Sequence, residues 1–155
     1  MLLSSLAEGY GLVQWGDKRG EFGHAVIVAQ ALAIRYEVTQ LVFGLVLVFG
    51  GAKLIQWIGL SFHFHPIYSR CFTTTAYGLA PIFLARFLDA MPNLNTWVCW
   101  AMGASGSVYL LYSGIGLVLE PEQTKGFGLY LLIALILVLM SGLAHFAALA
   151  VLWGR

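Results

Sequence analysis

Histidines are the residues of this chain best suited to metal chemistry. His63 and His65 stand two apart in FHFHP. In an extended segment they would project from the same side, where two imidazoles could share a metal ion. No carboxylate or thiolate lies near them in the sequence, and histidines between aromatic rings at a polar boundary explain the pattern as well. They are secondary metal candidates, and we predict no bound metal.

His145 lies within a long apolar run. An ionisable residue inside a membrane span is a candidate functional residue. Ser141, one helical turn earlier, is a sufficient hydrogen-bond partner, so a packed histidine is the simpler interpretation. A haem at His145 would need a second axial ligand, such as His24 or a residue of another subunit. We predict no cofactor other than bound lipid.

The sequence pairs no nucleophile with a base. The sequence places no histidine at a fixed spacing from the hydroxyls of residues 73–75. Glu120 and Glu122 lie in a predicted polar turn. A phosphate-binding glycine loop, H-E-x-x-H and C-x-x-C are all absent from the sequence. We predict that the protein is not an enzyme.

Composition indicates an integral membrane protein. Of the 155 residues 60% are hydrophobic and only 10% are charged, against roughly 25% charged residues in soluble domains. A net charge of +1 gives no basic surface for nucleic acid. The predicted partners are membrane lipids and other integral membrane proteins. Cys71 and Cys99 begin successive spans at opposite membrane faces, which predicts two buried thiols instead of a disulfide.

Hydrophobic runs of about 20 residues predict the elements that position these groups. The fold class is an all-α bundle of four transmembrane helices, at about 39–62, 71–91, 97–119 and 127–153. Residues 1–38 are predicted to be an N-terminal arm, in which residues 1–20 are irregular with short turns. Within that arm, residues 22–34 form an extra half-helix that is interfacial, re-entrant or packed on the bundle. Arg35 and Glu37 mark a polar break before the first span.

The second span is the one around which the others are predicted to pack. Pro81 has no N–H, so the carbonyl of Tyr77 loses its helical partner. In a membrane such a carbonyl is satisfied by a neighbouring helix, a hydroxyl or a water, and residues 73–75 supply hydroxyls nearby. Gly78 allows close approach. We therefore predict that companion helices shield this span from lipid.

Three charged residues fall within or near the spans. Lys53 either reaches the interface, because the hydrocarbon segment ends near Gly51, or faces inward toward a carboxylate. Arg86 and Asp89 lie three apart on one helical face, which predicts an ion pair.

The third span carries a small-residue pair, Gly103 and Ser107, that permits close helix contact. Tyr109 and Tyr112 follow on one side of that helix.

From the first span onward the chain resembles the YIP family of multi-pass membrane proteins, whose eukaryotic members interact with Rab GTPases. The resemblance rests on TAYGLAPIFLARFL, with Tyr77, Gly78 and Pro81, and on SVYLLYSGIGLVL in the third span. It covers roughly residues 40–152. The family usually has five spans and an acidic motif before them. Here the first span is missing or reduced to residues 22–34, and the acidic motif is absent. The resemblance therefore implies a bacterial relative without a Rab-type role.

The leading functional hypothesis is a non-catalytic membrane subunit or scaffold that packs laterally against other membrane proteins. A small transporter or channel component is the alternative, and an accessory subunit of an electron-transfer complex is a third. The predicted location is the bacterial inner membrane. Lysine and arginine counts favour termini inside, whereas the family topology without its first span puts them outside, so orientation stays open.

Overall fold

The computed structural model describes residues 2–16, 29–63, 65–91, 94–119 and 123–153. Its α-helices, α1 to α6, are Leu2–Trp15, Gln30–Ser61, Tyr68–Gly78, Ala80–Asp89, Thr96–Gly114 and Gln123–Trp153, and a π-helical segment, Ile115–Leu119, extends α5. Four segments are long and apolar enough to cross a membrane: Gln30–Ser61, Tyr68–Asp89, Thr96–Leu119 and Gly126–Val151. The predicted all-α bundle with four spans is therefore confirmed.

The four spans pack as a closed ring. Helix α2 contacts α3 and α6, α5 contacts α3, α4 and α6, and the short helix α1 lies against α2 and α4. The centre of the ring is mostly apolar, and its buried residues include Leu47, Ile55, Leu111, Ile133 and Leu137. Since lipid tails are as apolar as these side chains, close packing holds the ring together more than burial from water does.

Residues 2–15 of the N-terminal arm form helix α1, so the prediction of an irregular segment with turns was wrong for them. Gly9 and Gly11 lie inside α1, where they allow close packing and do not mark turns. A Cβ added at Gly9 would lie 3.1 Å from Cγ of Glu37, and one added at Gly11 would lie 2.8 Å from the carbonyl oxygen of Ala90. Helix α1 can therefore approach both α2 and α4 more closely than a helix with larger side chains could.

The predicted polar break before the first span was also wrong. Helix α2 begins at Gln30 and runs without interruption through Arg35 and Glu37. Glu37 forms an ion pair inside the bundle, so its charge does not require the helix to end there. Of the predicted half-helix, residues 22–28 lie outside the described residues, as does His24, and residues 30–34 belong to α2.

The second span is interrupted at Leu79, as the proline predicted, because α3 ends at Gly78 and α4 begins at Ala80. Helix α5 covers the break: a Cβ added at Gly106 would lie 3.0 Å from Cβ of Pro81. The side chain of Tyr77, however, faces outward. The hydroxyls of residues 73–75 donate to carbonyls four residues earlier, at Ser69, Arg70 and Cys71, and not to that of Tyr77.

Cys71 and Cys99 are buried and not disulfide-bonded, as predicted. Helix α5 begins with a side-chain cap, in which Oδ1 of Asn95 accepts a hydrogen bond from the backbone N–H of Trp97 at 2.8 Å. This satisfies one of the amides left without a partner at a helix start. Helix α6 begins at Gln123, so residues 123–125 are helical, while Glu120 and Glu122 lie outside the described residues.

Candidate functional site

A buried charged cluster around Arg86 lies where α1, α2 and α4 meet. Nε of Arg86 is 2.6 Å from Oε2 of Glu8, and one terminal nitrogen is 2.8 Å from Oε2 of Glu37. The other terminal nitrogen donates to Oγ of Ser5 at 3.1 Å. The side chains of Arg86 and Glu8 are only 10% and 3% exposed. A guanidinium suits this position because its planar fork donates in several directions at once.

Two further side chains of α2 complete the cluster. The hydroxyl of Tyr36 donates to Oε1 of Glu8 at 2.7 Å. Nε2 of Gln40 donates to the same carboxylate oxygen at 3.3 Å and also to the Tyr36 hydroxyl. The other oxygen of Glu37, Oε1, is buried without a hydrogen-bond partner among the described residues.

Helix α1 has its polar side inward and its apolar side outward. Ser4, Ser5 and Glu8 are buried, whereas Leu3 and Leu6 are largely exposed. A helix in water would show the opposite arrangement. This orientation places the apolar side of α1 toward lipid and uses its polar side to solvate the charge of Arg86.

The cluster has one cation and two acids, so it is neutral when one carboxyl carries a proton. Burial raises the pKa of Glu8 from its ordinary value of 4.5 to about 8, more than the attraction of Arg86 lowers it. The site therefore holds a titratable proton on Glu8 near neutral pH.

We expect the docking of α1 to weaken as pH rises. Because the pKa of docked Glu8 is about 8 and its ordinary value is 4.5, the docked state binds the proton more tightly. This stabilisation is complete below the lower value and is lost as pH rises through the higher one. Hydrogen–deuterium exchange, corrected for intrinsic rates, should show α1 amide protection falling severalfold from about pH 5 to about pH 9.

The matched control for this titration is Glu8→Gln, which keeps the shape of the carboxyl group and cannot lose a proton in this range. Its α1 protection should change less with pH than that of the wild type, because Glu37 is then the one remaining acid of the cluster that can titrate. If the wild-type and Glu8→Gln profiles have the same slope, Glu8 is not the titrating group.

Asp89 and His145 do not take the predicted partners. Arg86 pairs with Glu8 and Glu37 instead of Asp89, and Oδ1 of Asp89 accepts a hydrogen bond from Oγ1 of Thr96 at 2.7 Å. The hydroxyl of Ser141 donates to the carbonyl of Val138. Ser141 is therefore not the partner of His145. Nε2 of His145 is buried with no partner among the described residues, and the ring of Trp97 meets the imidazole edge-on at 5.1 Å.

Lys53 faces outward, so an inward cation paired with a carboxylate is not formed. Its Nζ donates to Oε1 of Gln56 at 2.9 Å and lies 5.6 Å from the ring centre of Tyr68. His63 has a φ of 59°. This left-handed conformation removes the extended segment on which a site shared with His65 depended. Among the described residues, no three or more His, Cys, Asp or Glu side chains form a group that could hold a metal.

The predicted small-residue pair of α5, Gly103 and Ser107, packs inside the chain. A Cβ added at Gly103 would lie 2.8 Å from Cα of Ile82, and Ser107 is fully buried. Tyr109 and Tyr112 both face outward, and the ring of Tyr112 meets that of Tyr130 edge-on at 5.0 Å.

Sequence reasoning found Arg86 but missed Glu8, which belongs to the arm that was predicted to be irregular. The signal was present as helical spacing, since Ser4, Ser5 and Glu8 lie three and four apart and share a helix face. No protein-family model, no curated protein and no solved structure matches the chain. The fold and the site therefore define a class only, an all-α integral membrane protein with a charged cluster inside its bundle.

Proposed function

We propose that this protein is a non-catalytic subunit of the bacterial inner membrane that binds a transmembrane helix of another protein side by side. The observation that carries the proposal is a pair of exposed tyrosines near the middle of neighbouring spans. Tyr77 of α3 is 72% exposed and Tyr109 of α5 is 69% exposed.

The two tyrosines lie at nearly the same depth. A Cβ added at Gly78 would meet Leu111, and one added at Gly106 would meet Pro81, which aligns α3 and α4 antiparallel with α5 at this level. Tyr77 and Tyr109 are both close to the middle of their spans, Tyr68–Asp89 and Thr96–Leu119. At 1.5 Å per residue, each lies roughly 13 Å or more from the end of its span, which is farther than a tyrosine side chain reaches.

Exposed hydroxyls at this depth favour a protein partner over lipid. Lipid tails offer no hydrogen-bond acceptor, and a hydroxyl moved into an apolar medium without one loses about 1–3 kcal/mol by mutational measures. The exposed side of α6 is different, because Leu131, Leu135, Leu139 and Leu143 make it purely apolar. We call Tyr77 and Tyr109, with the neighbouring exposed Thr73 and Ser105, the tyrosine face. A partner helix with small residues and hydrogen-bond acceptors at mid-depth would fit it.

The double variant Tyr77→Phe, Tyr109→Phe tests the proposal by removing only two oxygen atoms. Interhelical hydrogen bonds in membranes average about 0.6 kcal/mol, so we expect partner retention to fall roughly sevenfold or more. The measurement is the amount of partner that co-purifies with the chain in native lipid particles, identified by mass spectrometry. Capture of further copies of this chain alone would contradict binding to a different protein.

Leu135→Ala on the apolar side of α6 is the matched control, because it changes an exposed residue that faces lipid. It should leave partner retention unchanged. Equal loss in the control and in the tyrosine variant would show that the tyrosine face has no special part in binding.

The YIP resemblance and the location belong to the same proposal. The three motif residues divide by role, since Gly78 and Pro81 contact α5 while Tyr77 is exposed. A motif whose glycine and proline pack inside the chain and whose tyrosine is left exposed is compatible with a family of interacting membrane proteins.

A small transporter or channel component is the second candidate, because Arg86 and its carboxylates form a buried charged site beside the break at Pro81. The described core gives it little support. Leu47, Ile55, Leu111, Ile133 and Leu137 fill most of the centre of the ring, and the polar side chains buried with them, such as Thr75 and Ser107, carry no charge. The lateral subunit is therefore the better supported of the two.

A further inference from the structure

A small cavity lies between α2, α4, α5 and α6, at the end of the bundle near α1. Its volume is about 40 Å³. Polar side chains of all four helices line it: Gln40, Arg86, Asp89, Thr96, Ser141 and His145. This volume is the space open to the centre of a water molecule, and one water molecule needs about 10–15 Å³ of it. The cavity therefore has room for two or three water molecules.

Two buried nitrogen atoms without partners belong to residues that line the same cavity. They are Nε2 of His145 and Nε1 of Trp100, and neither forms a hydrogen bond with a described residue. An indole N–H that is buried and unsatisfied costs about 1–3 kcal/mol. Water in the cavity would remove this cost for both groups, and a polar site of this size meets the usual conditions for ordered water.

A second cavity, of about 20 Å³, continues toward the surface. It shares Asp89 and Thr96 with the first and is also lined by Trp15 and Gly16, at the end of α1. Asp89 and Thr96, which are joined by a hydrogen bond, therefore line both spaces, and each space is large enough for at least one water molecule. In the opposite direction the cavity meets the apolar core, where Leu137 is fully buried two turns from His145.

We propose that these two cavities form a water-filled vestibule that opens near α1, ends at His145 and gives that imidazole access to protons. The ligand is water, with protons carried through it. Arg86 and Asp89 of α4, Cys99 of α5 and His145 of α6 are the titratable side chains that line the inner cavity. The vestibule reaches partway into the bundle only, so it provides proton binding and not passage across the membrane.

The two native thiols make a matched pair for testing this. Cys99 lines the inner cavity, whereas Cys71 belongs to the apolar core, and neither reaches the surface. Transfer of the full chain, in lipid particles, into D₂O should replace S–H by S–D wherever water arrives. Infrared spectroscopy follows the S–H band of each thiol, and Cys71→Ser and Cys99→Ser assign the two bands.

We expect exchange at Cys99 to be at least about tenfold faster than at Cys71. Ala144→Leu, which adds bulk inside the cavity, should slow Cys99 toward the rate of Cys71. Ala150→Leu, at an exposed position of the same helix, should not. Equal exchange of the two thiols in the wild-type chain would overturn the proposal. So would unchanged Cys99 exchange in Ala144→Leu with Cys71 still slow, since a slow Cys71 shows that the bundle is intact.

Discussion

Arg86→Met should lower the free energy of unfolding by about 3–5 kcal/mol, because it leaves buried acids without their cation. Nε of Arg86 is 2.6 Å from Glu8 and a terminal nitrogen is 2.8 Å from Glu37. Methionine keeps much of the length of the side chain, so the loss reports charge and hydrogen bonding more than packing. Unfolding in mixtures of mild detergent and SDS, followed by circular dichroism, measures the change.

Two controls make the result specific to the cluster. Lys53→Met removes an exposed cation of the same membrane domain and should change stability by less than about 1 kcal/mol. Adding Glu37→Gln to Arg86→Met removes the uncompensated carboxylate and should restore more than half of the loss, since coupled sites are not additive. If Arg86→Met were as stable as Lys53→Met, the ion pairs would contribute nothing measurable.

The spans could be predicted from sequence because a membrane places one strong demand on them. Every backbone polar group must be satisfied within the segment, so length and hydropathy alone locate helices such as α6. Helix interruption at Pro81 followed from equally local chemistry, the missing N–H. Neither prediction depends on which helices are neighbours in the bundle.

The charged cluster could not be predicted in the same way, because its partners are distant in sequence. Arg86 and Asp89 satisfy the local rule for a pair, three residues apart on a helix. The structure instead brings Glu8 to Arg86 from 78 positions away. Local spacing predicts only the pairs that a single helix permits, whereas the pair of Arg86 with Glu8 forms through the packing of α1 against α4.

The N-terminal arm was misjudged because glycine has two uses that sequence alone does not distinguish. Glycine permits unusual turns, and it also permits close approach of another backbone. Gly11 serves the second use, with the carbonyl oxygen of Ala90 2.8 Å from where its Cβ would be. That close contact brings Glu8 within reach of Arg86, so the error about the glycines and the missed carboxylate have one cause.

Gly103→Ala should have the second largest effect and should separate internal packing from partner binding. The added Cβ would lie 2.8 Å from Cα of Ile82 and 3.0 Å from the carbonyl oxygen of Pro81. Both are backbone atoms that no rotamer change can move, so α5 must shift away from α4. We expect a loss of about 1–3 kcal/mol in the same unfolding measurement.

Gly50→Ala, in α2, is the matched control, because nothing lies within 4 Å of the Cβ that it adds. It should be neutral, or stabilising by up to about 1 kcal/mol, since alanine is the better helix former. Equal stability of the two alanine variants would show that the contact at Gly103 tolerates a methyl group. Tyr77→Phe with Tyr109→Phe should show the opposite behaviour, with stability unchanged and partner retention reduced. Together the two results would place partner binding on the outer side of α3 and α5, and not on their small-residue contact.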